Sequence, residues 1–250
     1  MQKNLLSIIT VVKNDEKNIQ KTIKSVIDQK NIKYEYIVID GKSKDNTLKK
    51  IKKFKNKIHK IISKKDNGIY DAMNKGIKIA KGDIIVFCNS GDFFYKNSLS
   101  KVMNLFSKYN YDFIFGTVIR NYTKDKILKH GFNFKRMVYN FDFATSHTTG
   151  FFLKKKIYKQ IGFYDTSFKC SADYDLYFRL HKGKYKGGST RKNQLIGNVA
   201  SGGFSSKISF FNHIIEESRI RVKNKQNFFI ILVIFVNGII KNVIKKIFKF

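Results

Sequence analysis

No proline and no tryptophan occur among the 250 residues, while Lys, Asn, Ile, Phe and Tyr are abundant, a bias of AT-rich coding that accounts for part of the lysine excess. Cysteine is scarce. Cys88 and Cys170 stand far apart without a CxxC pair, which excludes a disulfide framework and a cysteine-rich zinc site. Cys88 lies in an apolar run and reads as a small core hydrophobe, and this cysteine usage fits a reducing cytosol. Acidic residues are few, 18 against 50 basic, so the chain carries +32 and attracts polyanions, whether nucleic acid, anionic lipid or a phosphorylated substrate. No apolar run reaches the roughly 20 residues that span a bilayer. The N-terminal "MQKNLLSIITVVKN" has too short an apolar stretch and no small-residue cleavage site, so it reads as a strand and not a signal peptide.

What is present can fold. A hydrophobic fraction of 42% with 15% aromatics excludes wholesale disorder. Apolar runs "LLSIITVV", "YEYIVID", "IHKIIS" and "DIIVFC" predict strands. Between them, Asp15 to Gln29, a Lys-rich segment after Thr47, and "IYDAMNKGIKIA" predict helices, the first with Ile19, Ile23, Val26 and Ile27 on one face. This β-α-β-α-β-α-β order predicts an α/β fold with a mainly parallel central sheet flanked by helices, and a ligand across the carboxyl ends of the strands.

Polar clusters fall at those ends: "VVKN" (Val11 to Asn14), "DGKSKDNT" (Asp40 to Thr47), "KKDNGIYDAMNKG" (Lys64 to Gly76) and "NSGD" (Asn89 to Asp92). Each alone has an ordinary reading. Ser43 or Asp45 can cap the following helix, Gly68 can take positive φ in a turn, and "NSGD" can be a tight turn. A parallel sheet would bring all four to one edge, and that conjunction points to a site.

Together with "SIITVVKNDEKNIQKTIKSVIDQ", "GIYDAMNKGIKIAKGDIIVFCNSGD" and "CSADYDLYFRL", these clusters resemble the family 2 glycosyltransferases, which have the GT-A fold, from Leu5 to about Ser206. The closest flavour is that of bacterial enzymes of colanic acid, capsule or O-antigen assembly. The resemblance implies a nucleotide-binding half at about 1–95, an acceptor half at about 96–206, and inverting transfer of a sugar from a nucleotide-sugar, UDP-linked, to a saccharide hydroxyl. It further implies donor contacts by Asp40 and Asp66 to base and ribose and by the backbone of Thr10 and Val11. Asn14, Asn74, Lys75, Ser90 and Gly91 join them on the donor side. Asp71 either meets the donor or caps its helix.

"NSGD" matches the family's Asp-x-Asp element, which implies Asp92 and Asn89 as ligands of Mn²⁺ or Mg²⁺ on the donor diphosphate. Asn89 and Gly91 stand where the common wording has aspartates, so Asp92 is the sole carboxylate. Asp173 matches the general base of the "ED" pair, although acids in a first helical turn also serve as dipole partners. His147, Asp175 and Arg191 are placed near acceptor or diphosphate. "SGGFSS" (Ser201 to Ser206) resembles a loop that closes over donor.

The segment 207–250 reads as a helical tail. Its apolar run up to Asn237, too short to span a bilayer, is followed by Lys241, Lys245, Lys246 and Lys249. This predicts an interfacial helix on an anionic membrane, against the alternative of packing on the catalytic domain or a second subunit. The expected partners are therefore a nucleotide-sugar, a saccharide or polyprenyl-diphosphate-linked acceptor, and the cytoplasmic face of the plasma membrane. Nucleic acid is not expected, because the basic residues are spread everywhere and no helix-turn-helix or RNP-like pattern occurs. The alternative function is a non-catalytic polyanion- or nucleotide-sugar-binding protein on the same scaffold.

Overall fold

β1 (Leu6–Val12) is buried at every residue, which only a strand covered on both faces achieves. The computed structural model describes residues 4–122, 125–140, 147–203 and 208–247, without the side chains of residues 245 and 246. In it, β1 pairs in parallel with β2 (Tyr34–Asp40), and β2 with β3 (Lys60–Ser63). On the other flank β1 pairs in parallel with β4 (Ile84–Phe87).

Between these strands run α1 (Ile19–Ile27), α2 (Thr47–Lys52) and α3 (Ile69–Ile79), in the predicted alternation. α1 starts at Ile19 and not at Asp15, whose backbone N–H donates to the Thr47 hydroxyl at 2.8 Å. After β4 the chain forms β5 (Phe93–Phe94), α4 (Ser98–Tyr109), β6 (Phe113–Phe115), β7 (Thr117–Asn121), β8 (Lys126–Lys129) and α5 (Phe134–Tyr139). There follow β9 (Phe151–Lys154), α6 (Lys155–Ile161), α7 (Ala172–Lys182), β10 (Gly187–Ser189), β11 (Leu195–Val199), α8 (Phe210–Lys223) and α9 (Phe228–Ile247).

The main sheet has the order β10-β6-β9-β4-β1-β2-β3, with β9 antiparallel to both of its neighbours. A smaller sheet, β5-β11-β7-β8, stands beside it. Alternate residues of each strand enter opposite cores, as the two-residue period of a strand requires. Ile9, Val11, Ile37 and Phe87 join α3, α5 and α7 on one face, while Ile8, Val12, Val38 and Val86 join α1 and α4 on the other. Aromatic rings fill the first core beneath β6 and β9, with Phe151 4.7 Å from Phe115 and 4.8 Å from Tyr177 between ring centres.

α8 is bound into this body. Ile220 enters the first core, and Arg221, 1% exposed, donates to the carbonyls of Met137, Val138 and Asn140 and to the Tyr174 hydroxyl. Its guanidinium thereby satisfies the carboxyl end of α5, whose last carbonyls have no partner within the helix. α9 lies against α8 and buries Ile231 and Ile234. Residues 204–206 of the expected closing loop lie outside the described residues.

Replacing Arg221 by Met roughly keeps the volume and removes the guanidinium donors, leaving Met137 with the Tyr174 hydroxyl, Val138 with the Gln226 amide and Asn140 without its side-chain donor, so Arg221→Met is expected to cost about 1–3 kcal/mol. Urea unfolding checks this. An unchanged midpoint would show that these bonds do not hold α8 to the body.

Candidate active site

Because β4, β6 and β10 run in the same direction as β1, the ends of all these strands and the start of β9 meet at one edge of the main sheet. The polar clusters are there, and they bond to one another. The Asn14 backbone N–H donates to the Ser43 hydroxyl at 2.8 Å, and Lys44 N–H donates to Asn14 Oδ1 at 2.8 Å. The Ser90 hydroxyl donates to Asp15 at 2.6 Å, and Lys13 pairs with Asp66 at 3.7 Å. Asp66 lies over Gly41 so closely that a Cβ there would sit 2.1 Å from its Oδ2.

Several expected donor contacts are turned inward. Asp40 is fully buried and accepts the hydroxyls of Ser43 at 2.5 Å and Ser63 at 2.6 Å, so it fixes two loops instead of facing solvent. Thr10 donates to the Cys88 carbonyl at 2.7 Å, and Thr10 and Val11 sit within the pairing of β1 with β2. Their backbone is therefore not free to bracket a nucleoside, and the loop that can meet a ligand starts at Lys13. Asn74 exchanges both amide functions with the backbone of Tyr164, at 2.8 and 3.0 Å, which commits it to joining α3 to the loop before α7.

Asp71 accepts from Asn67 N–H at 2.9 Å and from Lys75 Nζ at 2.8 Å, and those bonds hold its pKa below the ordinary range. Its bonds match the capping alternative. Lys75 also donates to the Lys65 carbonyl at 2.9 Å, so its charge is spent locally. Gly68 adopts the expected positive φ of 112°.

Asp92 departs most from expectation. It is 5% exposed, its Oδ2 accepts the Thr149 hydroxyl at 2.5 Å, and its Oδ1 accepts the Ala200 N–H at 2.9 Å. Burial raises its pKa to about 6 against these bonds and the field of Arg120. Next to it, Gly91 takes φ +96°, which a side chain would resist, and a Cβ would stand 3.2 Å from that of Ala200.

Asn89 Oδ1, the second expected ligand, is sealed from solvent without a hydrogen-bond partner. A hard cation needs several accessible oxygens. One carboxylate held sideways by two donors and one enclosed amide oxygen do not fit it. Among the described residues no group of three or more His, Cys, Asp or Glu could hold a metal. Asp92 is thus a clamp between β4, β11 and the turn before β9, correcting its assignment as a metal ligand.

Asp173 stands at the first turn of α7, partly exposed, with Tyr70 Oη 3.4 Å away and the Tyr174 N–H donating at 2.9 Å. Desolvation raises its pKa to about 6. Asp175, two residues on, is fully buried between Arg179 at 2.8 Å, Lys223 at 3.3 Å and Asn224 at 3.1 Å. It cannot touch an acceptor, and its tentative place there is corrected to a structural one.

His147 Nδ1 is buried without a hydrogen-bond partner, and burial together with Arg120 lowers its pKa to about 3, so the ring stays neutral. Arg191 is exposed on the turn after β10, at the same sheet edge.

Two residues of the site carry no motif. Arg120, near the end of β7, adds a lesser electrostatic influence, after burial, at Asp92, His147 and Asp173. Its signal is a lone arginine ending an apolar strand. Glu216 of α8 accepts three successive backbone N–H groups, of Lys169 at 2.6 Å, Cys170 at 2.9 Å and Ser171 at 3.1 Å. Burial would raise its pKa, but these bonds prevail and lower it. It holds the loop from which α7, and hence Asp173, projects. Its signal is an acid four residues before the inward Ile220.

The family model described as Glycosyl transferase family 2 matches residues 7–173. Among curated proteins, the chain is 34% identical over 116 residues to Poly(ribitol-phosphate) beta-N-acetylglucosaminyltransferase TarP of Staphylococcus aureus (strain N315), covering 44% of this chain and 36% of that one. It is 32% identical over 117 residues to UDP-Glc:alpha-D-GlcNAc-diphosphoundecaprenol beta-1,3-glucosyltransferase WfgD of Escherichia coli, covering 46% of each. The chain thus spans about a third to a half of the length of such relatives.

Among solved structures, S. aureus TarS 1–349 in complex with UDP-GlcNAc superposes with TM-score 0.70 at 17% identity, over 87% of this chain and 65% of that one. Mannosyltransferase PcManGT from Pyrobaculum calidifontis in complex with GDP-Man and Mn²⁺ gives 0.66 at 13%, over 89% and 64%. At these identities the likeness shows the shared fold, GT-A.

The clamp predicts how Asp92 variants melt. Since its folded pKa of about 6 lies above the ordinary 3.8, the ionised carboxylate weakens the fold as pH rises through that window. An amide can bond both Thr149 and Ala200 without that cost. Asp92→Asn should therefore melt at or above the parent at pH 7 and converge with it toward about pH 4, while Asp92→Ala should lose about 1–3 kcal/mol. An Asp92→Asn variant far less stable than the parent at pH 7 would contradict the clamp.

Proposed function

This chain belongs to glycosyl transferase family 2, and from that premise we propose that it moves a sugar, with inversion, from a UDP-sugar to a hydroxyl of a saccharide acceptor in bacterial surface-polysaccharide synthesis. The observation that carries the proposal is Asp173, a partly exposed carboxylate with its pKa raised to about 6, at the edge where the polar loops meet. A base poised near operating pH is what deprotonation of a hydroxyl calls for.

In the proposed step the acceptor oxygen attacks the anomeric carbon as the bond from that carbon to the diphosphate breaks. The hydroxyl proton passes to Asp173, and UDP leaves. Arg120, whose field reaches Asp173, is the cation proposed to meet charge developing there. Asp66 with Lys13, and the loops at exposed Asn14 and half-buried Ser43, form the donor side. A metal held by Asp92 and Asn89 is not part of the step, since those residues do not fit one.

The choice of UDP is supported by the TarS complex, whose ligand is UDP-GlcNAc, and by WfgD, whose name specifies UDP-Glc. The WfgD name also specifies a diphosphoundecaprenol acceptor. A lipid-linked acceptor of that kind would place this enzyme peripherally at the cytoplasmic face of the membrane.

Asp173→Asn is expected to lower the turnover number by about 10² to 10⁴ while UDP affinity, read by calorimetry, stays within about twofold. A parent-like rate would remove Asp173 from the base role. In the parent, kcat/KM should fall with unit slope below about pH 6, as the base takes up a proton. A profile flat to about pH 4.5 would contradict the same assignment.

A further inference from the structure

Away from the cleft, α9 presents an apolar stripe that no other described residue covers. Phe229, Val233, Val236, Ile240, Val243 and Ile247 follow one another at steps of four and three and are 46–74% exposed. Ile231 and Ile234 on the opposite side are the residues buried as α9 packs on α8. Single exposed hydrophobics are ordinary on a protein surface, but a continuous row of six along one helix marks an interaction face.

Its spacing suits two occupants, a second helix in a coiled coil or the plane of a lipid surface. Charge decides between them. α9 contains no acidic residue, and its basic residues are Lys241, Lys245 and Lys246. A coiled coil of two copies would have no carboxylate on either helix to pair with those lysines, and it would bring together two chains of +32 each. An anionic lipid surface supplies the missing charge. Among the described residues no helix is long and apolar enough to cross a membrane.

We infer that α9 lies in the plane of an anionic phospholipid surface, its stripe buried in the boundary between headgroups and chains. The consequence reaches the site through packing. α9 rests on α8, and Glu216 of α8 holds the loop from which α7 carries Asp173. A docked α9 thus fixes the cleft at a set orientation to the lipid. This claim stands independently of the proposed reaction.

The test is flotation of the full chain with vesicles of phosphatidylglycerol and phosphatidylcholine in about equal parts, against phosphatidylcholine alone. The parent should float with the anionic vesicles at least about tenfold more than with the neutral ones. The variant Val233→Glu/Val236→Glu should lose that binding while keeping the parent melting temperature, since both side chains are exposed.

Equal flotation of variant and parent would overturn the inference, because plain electrostatic adsorption would then suffice. It would also be overturned if the parent bound neither vesicle and instead formed, in sedimentation equilibrium, a dimer that the variant abolishes. The stripe would then be an interface between copies.

Discussion

One buried carboxylate ties together the parts of the chain that frame the cleft. Asp92 ends the β4 loop and receives Thr149 from the turn before β9 and Ala200 from just beyond β11, while its own carbonyl accepts the Thr22 hydroxyl of α1 at 2.7 Å. Four parts of the chain are thereby drawn to one point, and the small sheet is held against the large one. Burying a carboxylate is costly unless it is well bonded, and here the residual cost appears as a pKa of about 6. Gly91 belongs to the same device, since its positive φ lets the chain turn the carboxylate inward and sends its N–H to Thr22 at 3.0 Å.

A second bracing system runs from the C-terminal helices to Asp173. Glu216 satisfies the N–H groups ahead of α7, Arg221 satisfies the carbonyls that end α5, and Lys223 with Asn224 engages Asp175 inside α7. None of these residues touches the place where substrates meet. They decide where Asp173 points, so the geometry at the start of α7 is set from α8.

Much of the frame is legible in the sequence, because strands buried on both faces must be apolar throughout and their polar ends must be loops. β1, β2 and β4 could therefore be read directly, and with them the convergence of the four clusters. The direction of individual side chains could not. Asp92 and Asn89 look like ion ligands until Thr149 and Ala200, 57 and 108 residues away from Asp92, are brought beside them. Asn74 looks solvent-facing on its helix until Tyr164 takes both its amide functions. α8 reads as part of a tail because its anchors, Glu216 and Arg221, are charged residues whose burial depends on partners that local pattern cannot reveal.

The clamp implies that the nucleotide needs no ion held by "NSGD", and calorimetric titration of UDP into the chain in EDTA and again in Mn²⁺ tests this most directly. The account predicts dissociation constants that agree within about twofold, because sites without coupling leave each other's affinity unchanged. Binding that appears only with Mn²⁺, or strengthens by about tenfold or more in its presence, would contradict it and return Asp92 to the role of a metal ligand.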